Sequence, residues 1–168
     1  VFLYCLRERE KILDLFEILT GQRMMCSFIR PGGLVDDADD DWLKKTRVFI
    51  DSMPGYIDEY EDAVTENPFF KERTIGVGIL RADDAIAICV SGPLLKAAGV
   101  AHDIRKSNPY IGYEKFQFKV CTDDGADCYA RYKVRVAELR QSTDLCDQAL
   151  RMLKDIKGPV KTKDRKVM

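Results

Sequence analysis

From residue 43 onward, Leu43, Thr46, Ile50, Met53, Ile57, Tyr60 and Val64 are separated by alternating steps of three and four. That spacing sets all seven on one face of an α-helix and cannot serve a strand, whose faces alternate every residue. The phase runs straight through Pro54. A proline inside a helix removes a hydrogen bond and kinks it, whereas two unrelated helices would have no reason to stay in phase. The pattern therefore predicts one kinked helix from about Asp41 to Thr65. Aspartates stand at its start, where the helix dipole favours negative charge, and "TENP" marks its end because the residue before Pro68 is pushed out of the helical region.

A second run of the same kind, Tyr129, Tyr132, Val136, Leu139, Thr143, Cys146, Leu150 and Leu153, predicts another long helix, stopped by Gly158 and Pro159. Leu6, Ile12, Leu13, Leu15, Phe16 and Leu19 predict a first helix with a broad buried face, closed by Gly21. "PFFKER" reads as a turn, "TIGVGIL" as a strand or an extended crossing segment, and "ADDAIAIC" and "LLKAAG" as short helices. Phe116, Phe118 and Val120 alternate with charged and polar neighbours, the period of a half-exposed strand between Tyr113 and Cys121. The expected fold class is mainly α: a helical bundle with a short flanking β element, as one helical domain over residues 1–160. A basic, aperiodic tail, expected to be mobile or to dock on something outside the chain, follows over residues 161–168.

Composition excludes several function classes. Lys and Arg number 27 against 28 Asp and Glu, so there is none of the basic surplus that nucleic-acid binders carry. No run of about 18 apolar residues is present, so no membrane span is expected. The first residues, apolar and then charged, reverse the secretory order, and the lack of an initial methionine suggests a fragment of a longer chain. Six cysteines, none spaced C-x-x-C, spell neither a zinc ribbon nor a cluster ligand set, and are expected to be reduced and mostly buried.

Most candidate motifs fail on their own chemistry. Asp37, Asp39 and Asp41 match the first oxygen positions of a calcium loop, but Trp42 and Val48 stand where its glycine and bidentate glutamate belong. "GVG" lacks the further glycine and the helix start that cradle a phosphate. His102 is the only histidine and reads as a surface or capping residue; no catalytic residue and no metal ligand set is assigned within the chain.

"TGQRMMCSFIRPGG", Thr20 to Gly33, is different: it holds two arginines, three sulfur side chains and no carboxylate. Its apolar content (Met24, Met25, Phe28, Ile29) suggests a partly buried backbone, where guanidinium groups keep their charge and need a partner. The common solution is an acid of the chain's own helices. The sharper one is an anionic redox centre, whose reduced state a fixed positive charge stabilises.

"REREKILDLFEILTGQRMMCSFIRPGG", followed by "DEYEDAVTENPFFKERTIGVG", "SGPLLKAAGV", "DIRKSNPYIGYEKFQFKV" and "ELRQS", resembles the D-subunit family of respiratory complex I, the NADH:quinone oxidoreductase. The resemblance runs nearly end to end and implies the central part of a chain more than twice as long. It implies the fold of the nickel-iron hydrogenase large subunit, with the nickel site lost and its cavity turned into part of a quinone chamber shared with an iron–sulfur neighbour, the B subunit. No cofactor is expected on this chain itself; quinone is the implied substrate, and a tetranuclear iron–sulfur cluster sits on the partner. Arg30 and Arg23 would face that cluster. Met25 stands where the family commonly has a histidine linked to the pH dependence of the cluster's potential, so weaker proton coupling is expected. Subunits B and C and other peripheral-arm subunits are the implied partners, on the cytoplasmic side of the inner membrane. The alternative is a homologous subunit of a membrane-bound hydrogenase or related dehydrogenase.

Overall fold

The computed structural model describes residues 2–163. It is mainly helical, and among the described residues its only named sheet is a two-stranded hairpin. The chain divides into two units: residues up to Ser52 together with those from Leu150 on, and the stretch from Met53 to Ala149. The expected mobile tail falls mostly on residues 164–168, outside the described residues.

In the first unit, α1 (Phe2–Thr20) ends where Gly21 turns to φ +74° and its N–H donates to Glu17 O at 2.8 Å. That left-handed residue is the stop the sequence announced. The broad buried face is not found. Only Glu8, Leu13 and Leu15 are buried, while Phe2, Leu3, Phe16 and Ile18 are exposed. The helix is apolar on more sides than this unit can cover, and its buried side is the one against Trp42, whose Nε1 donates to Leu15 O at 3.0 Å. The hairpin follows, β1 (Ile29–Arg30) pairing antiparallel with β2 (Gly33–Leu34). Pro31 and a positive φ of 91° at Gly32 suit a type II turn between them.

The long helix α2 (Asp40–Val64) runs through Pro54 as the phase required, and crosses from the first unit into the second. Asp39 accepts from the Trp42 N–H at 2.8 Å at its start. Ile50, Met53, Ile57 and Tyr60, four members of the predicted stripe, are buried.

In the second unit, "PFFKER" is a helix, α3 (Pro68–Thr74), rather than a turn. Asn67 caps it by accepting from Phe69 N–H, and Pro68 occupies the first helical position, where its missing donor costs nothing. The remaining short helices are α4 (Ala82–Ala87), α5 (Pro93–Lys96) and α6 (Ile104–Ser107), followed by a 3-10 turn at Tyr113–Lys115. The last helix, α7 (Cys128–Leu153), ends five residues before Gly158, with Asp155 and Ile156 N–H groups tightening the final turn onto Met152 and Leu153. Its buried residues are Ala130, Val134, Val136, Leu145 and Leu150, of which Val136 and Leu150 belong to the expected stripe, and Ala130 and Val134 close on Ala97 after α5. Leu139 and Cys146, members of the expected stripe, are exposed.

The expected strand between Tyr113 and Cys121 is not a strand. Residues 116–121 are extended, and Phe118 is buried while Gln117 and Lys119 are exposed, as the alternation predicted. The partner is a helix, however: Gln117 N–H donates to Gln148 Oε1 at 2.9 Å, Gln148 Nε2 donates to Gln117 O at 2.7 Å, and Lys119 N–H donates to Gln141 Oε1 at 3.0 Å. The β element lies at residues 29–34 instead.

Candidate functional site

The Thr20–Asp36 loop is fixed at its two ends by different means. Near α1, Arg23 meets three carboxylates: Glu10 at 2.5 Å, Asp14 at 2.6 Å and Glu17 at 3.0 Å. The hydrogen bonds that Arg23 donates to Asp14 and then Glu17 raise its pKa above the ordinary value, so its charge is held and locally over-neutralised. Glu10, Asp14 and Glu17 step by four and three along α1 and form one acidic stripe.

Arg30 has no such partner. Its Nε donates to Ser27 O at 2.8 Å, and among the described residues it pairs with no carboxylate. It is exposed and sits on β1 directly opposite Gly33. The structure therefore separates the two arginines chemically. Arg23 lines a hollow of about 520 Å³ with Leu13, Phe16, Met24, Met25 and Ile29, whereas Arg30 lines two others of about 340 Å³ each. One of those two lies between Arg30 and Lys161, with the turn Pro31–Gly33 as its floor.

The partly buried backbone expected here is not found. Met24 is 59% exposed, Ile29 81% and Met25 91%. Among the described residues of this unit, no second layer covers the two-residue strands of the hairpin. Met25 also holds φ +55°, a left-handed conformation uncommon outside glycine, and so projects its thioether outward from a kinked backbone. The loop is an exposed, largely apolar surface on which Arg30, among the described residues, pairs with no carboxylate.

The other candidates separate cleanly. His102 is exposed. Asp39 caps α2 and Asp41 pairs with Lys45 at 2.6 Å; among the described residues no group of three or more His, Cys, Asp or Glu could hold a metal ion. All six cysteines are free, and contrary to expectation none is buried, since leucine, valine and alanine occupy the inward helix positions.

The second unit holds a buried set of charges that the sequence did not disclose. Lys96 Nζ sits 2.7 Å from Asp103 Oδ2 and 2.6 Å from Glu138 Oε1, and Arg105 forks onto Asp103 at 2.9 and 2.7 Å. Hydrogen bonds from Arg105, and then from Lys96 against the cost of burial, hold the Asp103 carboxyl well below the usual range. Burial alone would lower the Lys96 pKa, yet the two carboxylates outweigh it and raise it. With charges balanced two against two, this set ties α5 and the α6 cap to α7.

The sequence model of the family described as "Respiratory-chain NADH dehydrogenase, 49 Kd subunit" matches residues 1–168. The chain is 49% identical over 168 residues to the D 2 subunit of NADH-quinone oxidoreductase from Chloroflexus aurantiacus, covering 99% of this chain and 41% of that protein. It is 50% identical to the D 1 subunit of the same oxidoreductase from Roseiflexus castenholzii, covering 99% and 40%. The D subunit from Trichlorobacter lovleyi is 46% identical over 160 residues, covering 95% and 40%. The chain thus spans about two fifths of the length of the curated relatives it matches.

Proposed function

The chain belongs to the family of the 49 kDa subunit of respiratory-chain NADH dehydrogenase, and from that premise we propose that it is the central part of the D subunit of an NADH:quinone oxidoreductase. In this reading it helps form the quinone chamber, and Arg30 tunes the terminal tetranuclear iron–sulfur cluster carried by the neighbouring B subunit. The observation that carries the reading is Arg30 itself: exposed, hydrogen-bonded through Nε to a backbone carbonyl, and without a carboxylate among the described residues. An iron–sulfur cluster with thiolate ligands is anionic, and a fixed guanidinium stabilises its reduced state. Arg23 fits less well, since three carboxylates already surround it, so its part is to brace the loop on α1. Met25, exposed and unable to titrate, would leave that face without a proton acceptor. No catalytic residue is assigned within this span, and quinone reduction requires segments outside it.

The proposed fold is that of the nickel-iron hydrogenase large subunit, with contacts to subunits B and C and other peripheral-arm subunits on the cytoplasmic side of the inner membrane. Among the described residues no helix is long and apolar enough to cross a membrane, in keeping with peripheral attachment. No observation favours the hydrogenase alternative, and each relative compared above carries the NADH-quinone oxidoreductase name. The test is to tag the full-length protein, solubilise membranes gently, and assay what co-purifies. Inhibitor-sensitive, NADH-driven quinone reduction with iron–sulfur subunits attached is expected. Hydrogen evolution with nickel present would overturn the proposal.

A further inference from the structure

The segment after α7 returns to the Arg30 hairpin. Leu34 N–H donates to Val160 O at 2.9 Å, Thr162 N–H donates to Gly32 O at 2.8 Å, and Gly33 bridges antiparallel to Lys161 between them. Lys161 Nζ adds a bond to Val35 O at 3.3 Å. The close approach depends on Gly33. A Cβ there would lie 2.3 Å from Val160 O and 2.8 Å from Lys161 Cα, both backbone atoms, and its φ of +136° is one that L side chains rarely adopt. The two glycines of "RPGG" thus have separate reasons: Gly32 makes the turn, and Gly33 admits the returning chain.

A hairpin with two residues on each strand is marginal by itself. Among the described residues Arg30 makes one side-chain bond, to Ser27 O, so its direction is set by the backbone beneath it. We propose that Val160–Thr162 is a strap that fixes the Arg30–Gly33 turn and thereby aims the Arg30 guanidinium, with Gly33 and Thr162 as positioning residues. This deepens the reading of Arg30 given above and rests on it.

The test uses the intact complex and two readouts. Hydrogen exchange of residues 28–36 reports the strap, and the midpoint potential of the partner's terminal cluster reports where Arg30 points. Gly33→Ala puts a side chain against the strap; Thr162→Pro keeps Gly33 and removes one donor. Each should speed exchange in that segment about tenfold, the scale of one lost hydrogen bond. Each should also move the midpoint in the direction that Arg30→Met moves it. Unchanged exchange in Thr162→Pro overturns the strap. Faster exchange with an unmoved midpoint, in a complex where Arg30→Met does move it, overturns the positioning role. If Arg30→Met itself leaves the midpoint unmoved, the reading of Arg30 has failed, and the strap stands or falls on exchange alone.

Discussion

The side-chain amide of Gln148 grips the backbone of Gln117 from both sides, accepting from its N–H at 2.9 Å and donating to its C=O at 2.7 Å. One glutamine on α7 thereby supplies the pair of hydrogen bonds that a neighbouring β-strand would supply. Gln148→Leu removes both and leaves the segment its bond to Gln141 and the packing of Phe118. Amide exchange at Gln117 and its neighbours should rise about tenfold or more, with α7 itself unaffected.

The Lys96–Asp103–Arg105–Glu138 set predicts acid sensitivity. Asp103 has a depressed pKa in the fold, so its stabilisation is complete above the unfolded value of about 4 and drains away as pH falls toward the folded one. Asp103→Asn should cost about 3 kcal/mol near pH 7, because it leaves the half-buried Arg105 and one side of the buried Lys96 without their charge partner. Denaturant midpoints of the full-length subunit at pH 3 and pH 6 check both points: wild type loses stability between them and the variant loses much less.

Arg23→Met separates bracing from tuning. Its pairs are solvent-exposed and screened, so the stability loss should be slight. The terminal cluster's midpoint should move less than in Arg30→Met, because Arg23 is turned onto the α1 carboxylates Glu10, Asp14 and Glu17. A shift as large as that of Arg30→Met would contradict this division of roles.

Met25→His places a titratable group at the most exposed sulfur of the loop. The midpoint of the terminal cluster, followed from pH 6 to pH 8, should then fall more steeply with pH than in wild type, since an imidazole takes up a proton in that range. An equal slope in the two proteins would sink the idea.

How far the residues alone disclosed this structure depended on how local the signal was. The middle of the stripe, Ile50, Met53, Ile57 and Tyr60, is buried because three-four steps keep one helix face in phase, while Leu43, Thr46 and Val64 toward the ends are half-buried. On α7 the large residues at three-four steps drew attention away from Ala130 and Val134, whose small side chains permit the close approach to Ala97. Asn67-Pro68 was a legible helix start that reading "PFFKER" as a turn passed over. The acidic stripe Glu10, Asp14 and Glu17 was likewise present in the spacing and explains Arg23. The extended segment at 116–121 showed its alternation but not its partner, since no pattern tells a strand edge from two glutamine amides. Lys161 had no local signal at all: its place opposite Gly33 is a backbone pairing across more than a hundred residues.

The most direct test of the account is the midpoint potential of the terminal cluster in the intact complex carrying Arg30→Met, with Arg30→Lys beside it. Loss of an uncompensated positive charge should lower the midpoint by on the order of tens of millivolts, and lysine should restore most of it. A midpoint that is the same in wild type and in both variants would contradict the assignment of Arg30 to the cluster.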